Sequence, residues 1–180
     1  MKSILLIVAL ETELPRDLVS NDSTIYYCGV GKVNAAITAT SLMSTLAIMG
    51  ASHDITVINY GSAGGPAELV NTLIRCTRFA QGDIDCRPFV DKGITPYDAD
   101  ELKGELVFGT DGMLVTTYDQ FQLEPDGIVD MEAYAIAKVC KRFGVPFISY
   151  KWVSDNGNPD DWKENHNKGI PQFLEELTKI

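Results

Sequence analysis

At 180 residues and 45% hydrophobic content, the chain carries enough apolar material for one well-packed core and is too short for two ordinary domains, so residues 1–180 are expected to form a single domain. Fifteen basic against 25 acidic residues give a formal net charge of -10, and no Lys/Arg-rich run breaks that balance, which argues against nucleic acid and anionic membrane as partners. Cys28, Cys76, Cys86 and Cys140 lack C-x-x-C spacing and stand far from His53 and His166, so neither a metal site nor a disulfide framework is expected, and the composition fits a reducing cytoplasm.

Residues 4–9 read as a buried strand. The apolar run 4–10 is too short for a membrane span, lacks a small-residue cleavage site and leads into Glu11 and Glu13, so no signal peptide is expected. A short helix over 14–19, opened by Pro15, an Asn21-Asp22 turn and a strand over 24–28 come next. From 32 to 49 the apolar positions Val33, Ala36, Ile37, Leu42, Met43 and Leu46 recur at helical spacing, and Gly50 marks the stop. Residues 55–59 are a buried strand leading into a glycine-rich turn, Gly61-Ser62-Ala63-Gly64-Gly65.

Strands are expected over 73–79 and 105–108, with 80–103 an unpatterned loop over the sheet edge or site. The last third alternates again: strand 127–130, helix 131–143, a Gly144-Val145-Pro146 break, strand 147–153 and a C-terminal helix from about Pro159. The whole reads as an α/β sandwich, expected as three α/β/α layers around a central twisted mixed sheet.

Three carboxylates stand where apolar strand-like runs end: Glu13 after 4–9, Glu132 after 128–129 and Asp155 after 147–153. In open α/β sheets the ligand crevice lies at the carboxyl ends of strands, so these acids are placed to converge on one small molecule. Gly29-Val30-Gly31-Lys32 lacks the spacing of a phosphate loop and the third small residue of a dinucleotide fingerprint, and reads as a tight strand-to-helix turn. The glycines of 61–65 fit either backbone amides brought close to a ligand or a loop needing positive φ. Asp155-Asn156-Gly157 reads equally as a tight turn, and Asp130 and Glu132 equally as helix N-terminal acids.

The order Glu11-Thr12-Glu13, Gly29-Val30-Gly31-Lys32-Val33-Asn34-Ala35-Ala36, Gly61-Ser62-Ala63-Gly64-Gly65, Asp130-Met131-Glu132-Ala133 and Ser154-Asp155 resembles the nucleoside phosphorylase/nucleosidase family, and within it most the 5′-methylthioadenosine/S-adenosylhomocysteine nucleosidases. The resemblance implies hydrolysis of the N-glycosidic bond of a purine nucleoside to free base and a ribose derivative, without a cofactor. It implies that Asp155 protonates purine N7 with Ser154 helping to orient it, that Glu132 holds the ribose hydroxyls over Met131, and that Glu13 is the base that activates water. It further implies substrate contacts at Ser62, Ala63, Gly64 and Asp130, a base-binding segment at 111–114 with Met113 and Leu114, and a homodimer whose interface borders the 5′ end of the site. A phosphorylase would place arginines near the first strand and before the Gly-Ser turn, where this chain has acids and Asn59; Arg16 keeps phosphorolysis open as the alternative. A nucleoside-binding protein on a decayed enzyme fold is a further alternative, and an oxidoreductase is disfavoured by the missing glycine fingerprint.

Overall fold

The computed structural model describes residues 3–20, 23–50 and 55–180. The expected Asn21-Asp22 turn, and His53, lie outside the described residues. In the first strand, β1 (Ser3–Val8), both faces are buried: Leu5 and Ile7 enter one core while Leu6 and Val8 enter another. That double burial is what a continuous apolar run, rather than an alternating one, encodes in a parallel sheet. β2 (Ser23–Tyr27) and β3 (Ile55–Gly64) flank β1 in parallel. They are joined through α1 (Lys32–Ile48), which Gly50 ends at φ 69, a left-handed conformation that suits glycine.

The sheet continues with β4 (Leu73–Gln81), β5 (Leu106–Val107), β6 (Met113–Thr117), β7 (Ile128–Asp130) and β8 (Phe147–Asp155). β3 pairs with β8 in parallel and β8 with β4 antiparallel; β4 and β6, then β6 and β7, run parallel. β7 returns to β3 through Gly64 opposite Val129. The five strands β3, β8, β4, β6 and β7 thus close a ring, and the mixed sheet is barrel-like, with β1 and β2 extending from β3. The α/β class and the mixed sheet are as expected; the closure is not foreseeable from alternation alone.

Between them, α2 (Ala133–Phe143) buries Ala133, Tyr134, Ile136, Ala137 and Cys140 against the sheet and ends at Gly144 with φ 67. Two helices follow β8: α3 (Pro159–Asn165), capped by the Asn158 side chain, and α4 (Ile170–Leu177), whose Phe173 stacks on Tyr60 with ring centroids 4.1 Å apart. Where one C-terminal helix was expected there are two, because Gly169 and Pro171 interrupt the run. The 14–19 helix is only a 3-10 turn at Arg16–Leu18.

Two corrections bear on the site. The glycine-rich segment is not a turn: β3 runs straight through Gly61, Ser62, Ala63 and Gly64. None of these glycines has positive φ; they provide room instead. A Cβ at Gly61 would sit 3.4 Å from the Glu13 carboxylate, one at Gly64 3.1 Å from Val129, and one at Gly65 2.9 Å from Val153. Segment 113–117, to which the sequence assigns no element, is strand β6, and this sets where Met113 and Leu114 stand relative to the site.

Candidate active site

The register sets the convergence. Gly64 stands opposite both Val129 and Asp155, so the ends of β3, β7 and β8 meet at one point. Asp155, the last residue of β8, accepts the Gly157 amide on Oδ1 at 2.8 Å and the Ser154 hydroxyl on Oδ2 at 2.8 Å. Burial raises its carboxyl above the usual range; Ser154 and Gly157 oppose that shift and the Asp161 carboxylate adds to it. The group therefore holds a proton to higher pH than a surface aspartate.

Glu13 is brought back to the end of β1 by a turn in which its amide donates to the Leu10 carbonyl at 3.1 Å. Its buried carboxylate gathers three donors: the Ser62 amide at 2.8 Å and hydroxyl at 2.6 Å on Oε1, and the Leu10 amide at 3.1 Å on Oε2. The Ser62 hydroxyl in turn accepts the indole N–H of Trp162 at 2.9 Å.

At the start of α2, Asp130 accepts the Ala133 amide at 2.7 Å, the Glu132 amide at 3.2 Å and the Thr117 hydroxyl at 2.6 Å, which uses the free amides of the helix N-terminus. Lys151, 1% exposed, places its ammonium 2.8 Å from Asp130 Oδ2. Burial alone lowers the Lys151 pKa, yet Asp130 and Glu132 outweigh it and the net shift is upward. Glu132 accepts the Gly31 amide at 2.9 Å, across the strand-to-helix turn that Gly31 makes at φ 97. Burial first, then Asp130, pushes its carboxyl up to about 8, while Lys151 and the Gly31 amide pull the other way. Among the described residues, no group of three His, Cys, Asp or Glu side chains is gathered for a metal ion.

These side chains border one cavity of about 360 Å³. Glu13, Glu132, Asp155, Ser62, Ala63, Gly64, Asp130 and Met131 all line it, together with Leu10, Val30 and Val129. Ser154 lies fully buried behind Asp155 rather than on the wall. Met113 and Leu114 are not brought to the cavity. Because β6 runs parallel to β7 with Thr117 opposite Asp130, only its carboxyl end reaches the site. Met113 is at the other end, 44% exposed, beside an Asp111 that ion-pairs with Arg75. The wall is supplied instead by Gln120, Phe121 and Gln122, the segment that leaves β6. Pro159, Trp162 and Lys163 of α3 complete it. Neither group was singled out from the sequence. The available signals were an aromatic just beyond the β-branched run 115–117, and the Asn158-Pro159 helix start directly after Asp155. Arg16 donates to the Ile25 carbonyl at 3.0 Å and lies over the Tyr27 ring, outside the cavity wall.

A family model described as the phosphorylase superfamily matches residues 106–180. The 5′-methylthioadenosine/S-adenosylhomocysteine nucleosidase of Geobacillus thermodenitrificans is 32% identical over an alignment covering 88% of this chain and 75% of the relative. That of Bacillus subtilis is 33% identical, covering 82% and 72%. A crystal structure of the Helicobacter pylori nucleosidase of the same name superposes with a TM-score of 0.80 at 21% identity, covering 99% of this chain and 98% of that one, and shares its fold.

Proposed function

We propose a function from one premise: the chain belongs to the 5′-methylthioadenosine/S-adenosylhomocysteine nucleosidase family of the phosphorylase superfamily. It is an N-glycosidic bond hydrolase, acting on a purine nucleoside of the methylthioadenosine/adenosylhomocysteine type and releasing free base and a ribose derivative. The observation that carries this reading is the meeting of three buried carboxylates on one largely apolar cavity, with Asp155 biased toward its protonated form.

In our reading, Asp155 delivers its proton to purine N7 as the glycosidic electron pair moves onto the base, so the leaving group departs neutral. Ser154 keeps the Asp155 carboxyl turned toward the cavity. The cation developing at C1′ is stabilised by the carboxylates around it, and Glu132 accepts hydrogen bonds from the ribose hydroxyls over Met131. Glu13 takes a proton from water, whose oxygen bonds to C1′. Phe121 is the aromatic wall for the base, replacing the role expected of Met113. Ser62, Ala63 and Gly64 supply a close backbone surface.

Phosphorolysis is the second reading, and the absence of a guanidinium among the described residues of the cavity wall, where Glu13 stands instead, weighs against it. We further propose a single domain organised as three α/β/α layers, with α1 and α2 on one side of the barrel-like sheet and α4 on the other. A homodimer is supported by apolar side chains left exposed on α1, at Val33, Ile37 and Ile48. No helix among the described residues is long and apolar enough to cross a membrane, and we place the protein in the cytoplasm. The testing experiment is chromatography of a purine nucleoside panel incubated with the protein, with and without phosphate. Free base released equally in both supports hydrolysis; ribose 1-phosphate accumulating with phosphate supports the second reading, and no base in either removes both.

A further inference from the structure

α3 is fastened to the end of β8 by more than chain continuity. Trp152 donates its indole N–H to the Asn165 carbonyl at 2.9 Å, and the Asn165 amide donates to the Ser154 carbonyl at 3.1 Å. Asn158 caps the first turn by accepting the Asp160 amide at 2.9 Å. The helix thereby holds Trp162 against the cavity, its ring stacked on His166 with centroids 5.0 Å apart. The Trp162 side chain has a single polar atom, and that atom donates to Ser62 Oγ at 2.9 Å.

A serine hydroxyl has one proton and two lone pairs, and its proton rotates to suit its partners. With the indole N–H occupying a lone pair, the hydroxyl proton is directed away from the indole and onto Glu13 Oε1, 2.6 Å distant. We infer that Trp162 is a positioning residue for Glu13: its N–H sets the Ser62 rotor, and the chain from indole to hydroxyl to carboxylate leaves Glu13 Oε2, which among the described residues accepts only the Leu10 amide, free to take a proton from water. The ring has a second, separable effect as an apolar wall of the substrate cavity. This inference rests on the hydrolase reading above, in which Glu13 acts on water.

Steady-state kinetics of three variants test it. Trp162→Phe keeps an aromatic wall and removes the donor; kcat falls by about three- to tenfold, the scale of one hydrogen bond, while KM stays within about twofold. Trp162→Gln keeps a donor at similar reach and removes the ring; kcat recovers relative to the Phe variant while KM rises. In the double variant Trp162→Phe/Ser62→Ala, kcat is no lower than in Ser62→Ala alone, because the two act through one hydroxyl. Unchanged kcat in Trp162→Phe, no recovery in Trp162→Gln, or losses that multiply in the double variant would each overturn the inference. Wild-type protein that releases no base overturns the function reading itself, and this inference with it; an active wild type with those variant results overturns the inference alone.

Discussion

The ends of β3 and β8 and the connection from Gly82 to Glu105 are both rich in charged and polar side chains, and they use them in opposite ways. At the strand ends most such groups are buried and partnered: Asn59 with Ser149 at 2.8 Å, Lys151 with Asp130, Ser154 with Asp155, Glu13 with Ser62; the Tyr60 hydroxyl is the buried exception without a partner among the described residues. In the connection, Arg87 pairs with Asp85 and Lys103 with Asp100 in contact with solvent, and Phe89 and Tyr97 stand exposed. The cost of leaving a polar group unpartnered rises steeply with burial. Polar residues at the strand ends therefore hold a geometry, whereas the exposed pairs of Asp85 with Arg87 and Asp100 with Lys103 in the connection decorate a surface, and substitutions should separate the two sets sharply.

The largest effect belongs to the acid. Asp155→Asn should keep the fold and the hydrogen bond from Ser154, yet lose roughly 100- to 10,000-fold in kcat, measured by base release. Turnover near wild type would remove Asp155 from the acid role. Glu13→Gln should reduce kcat with KM largely kept, whereas Glu132→Gln should raise KM more than Glu13→Gln does; equal KM effects would dissolve that division of labour.

Next comes stability. Lys151→Met strands Asp130 in a dry site, and breaking such a buried pair costs about 3–5 kcal/mol, read from denaturant unfolding. A loss comparable to that of a surface substitution would show that water reaches the pair. For Glu132, whose carboxyl is pushed from 4.5 up to about 8, the folded state binds a proton that the unfolded chain has already released. Stability therefore falls as pH rises from about 4.5 to about 8, and this component should vanish in Glu132→Gln. Melting temperatures of both proteins across that window check the sign; parallel profiles would contradict it. The smallest effect is expected in the connection, where Arg87→Ala should leave both melting temperature and turnover unchanged.

Much of the architecture is legible in the sequence because periodicity and stop signals agree. Glycines at 50 and 144 end α1 and α2 as their position promises, and the apolar run of β1 announces a strand buried on both faces, as β8 also is despite Ser149 and Lys151. The acids were legible for the same reason, since each follows such a run. What escaped depends on contacts between distant segments. The glycines of β3 look like a turn because the crowding that requires them comes from Glu13, Val129 and Val153, none of them near in sequence. β6 is hidden behind Gly109 and Gly112, which pack against Thr77, and the resemblance puts Met113 at the site, where the cavity wall has Phe121 instead. Trp162 was invisible as a functional candidate because its partner lies 100 residues away.

The central claim is that water, activated at Glu13, displaces the base at C1′. Reaction of the wild-type protein with a purine nucleoside in ¹⁸O-labelled water, with phosphate present and the ribose product reduced at once to prevent exchange at C1, tests it most directly. The account predicts one labelled oxygen in the sugar product, at C1, and none in the free base. An unlabelled sugar carrying phosphate at C1 would contradict it.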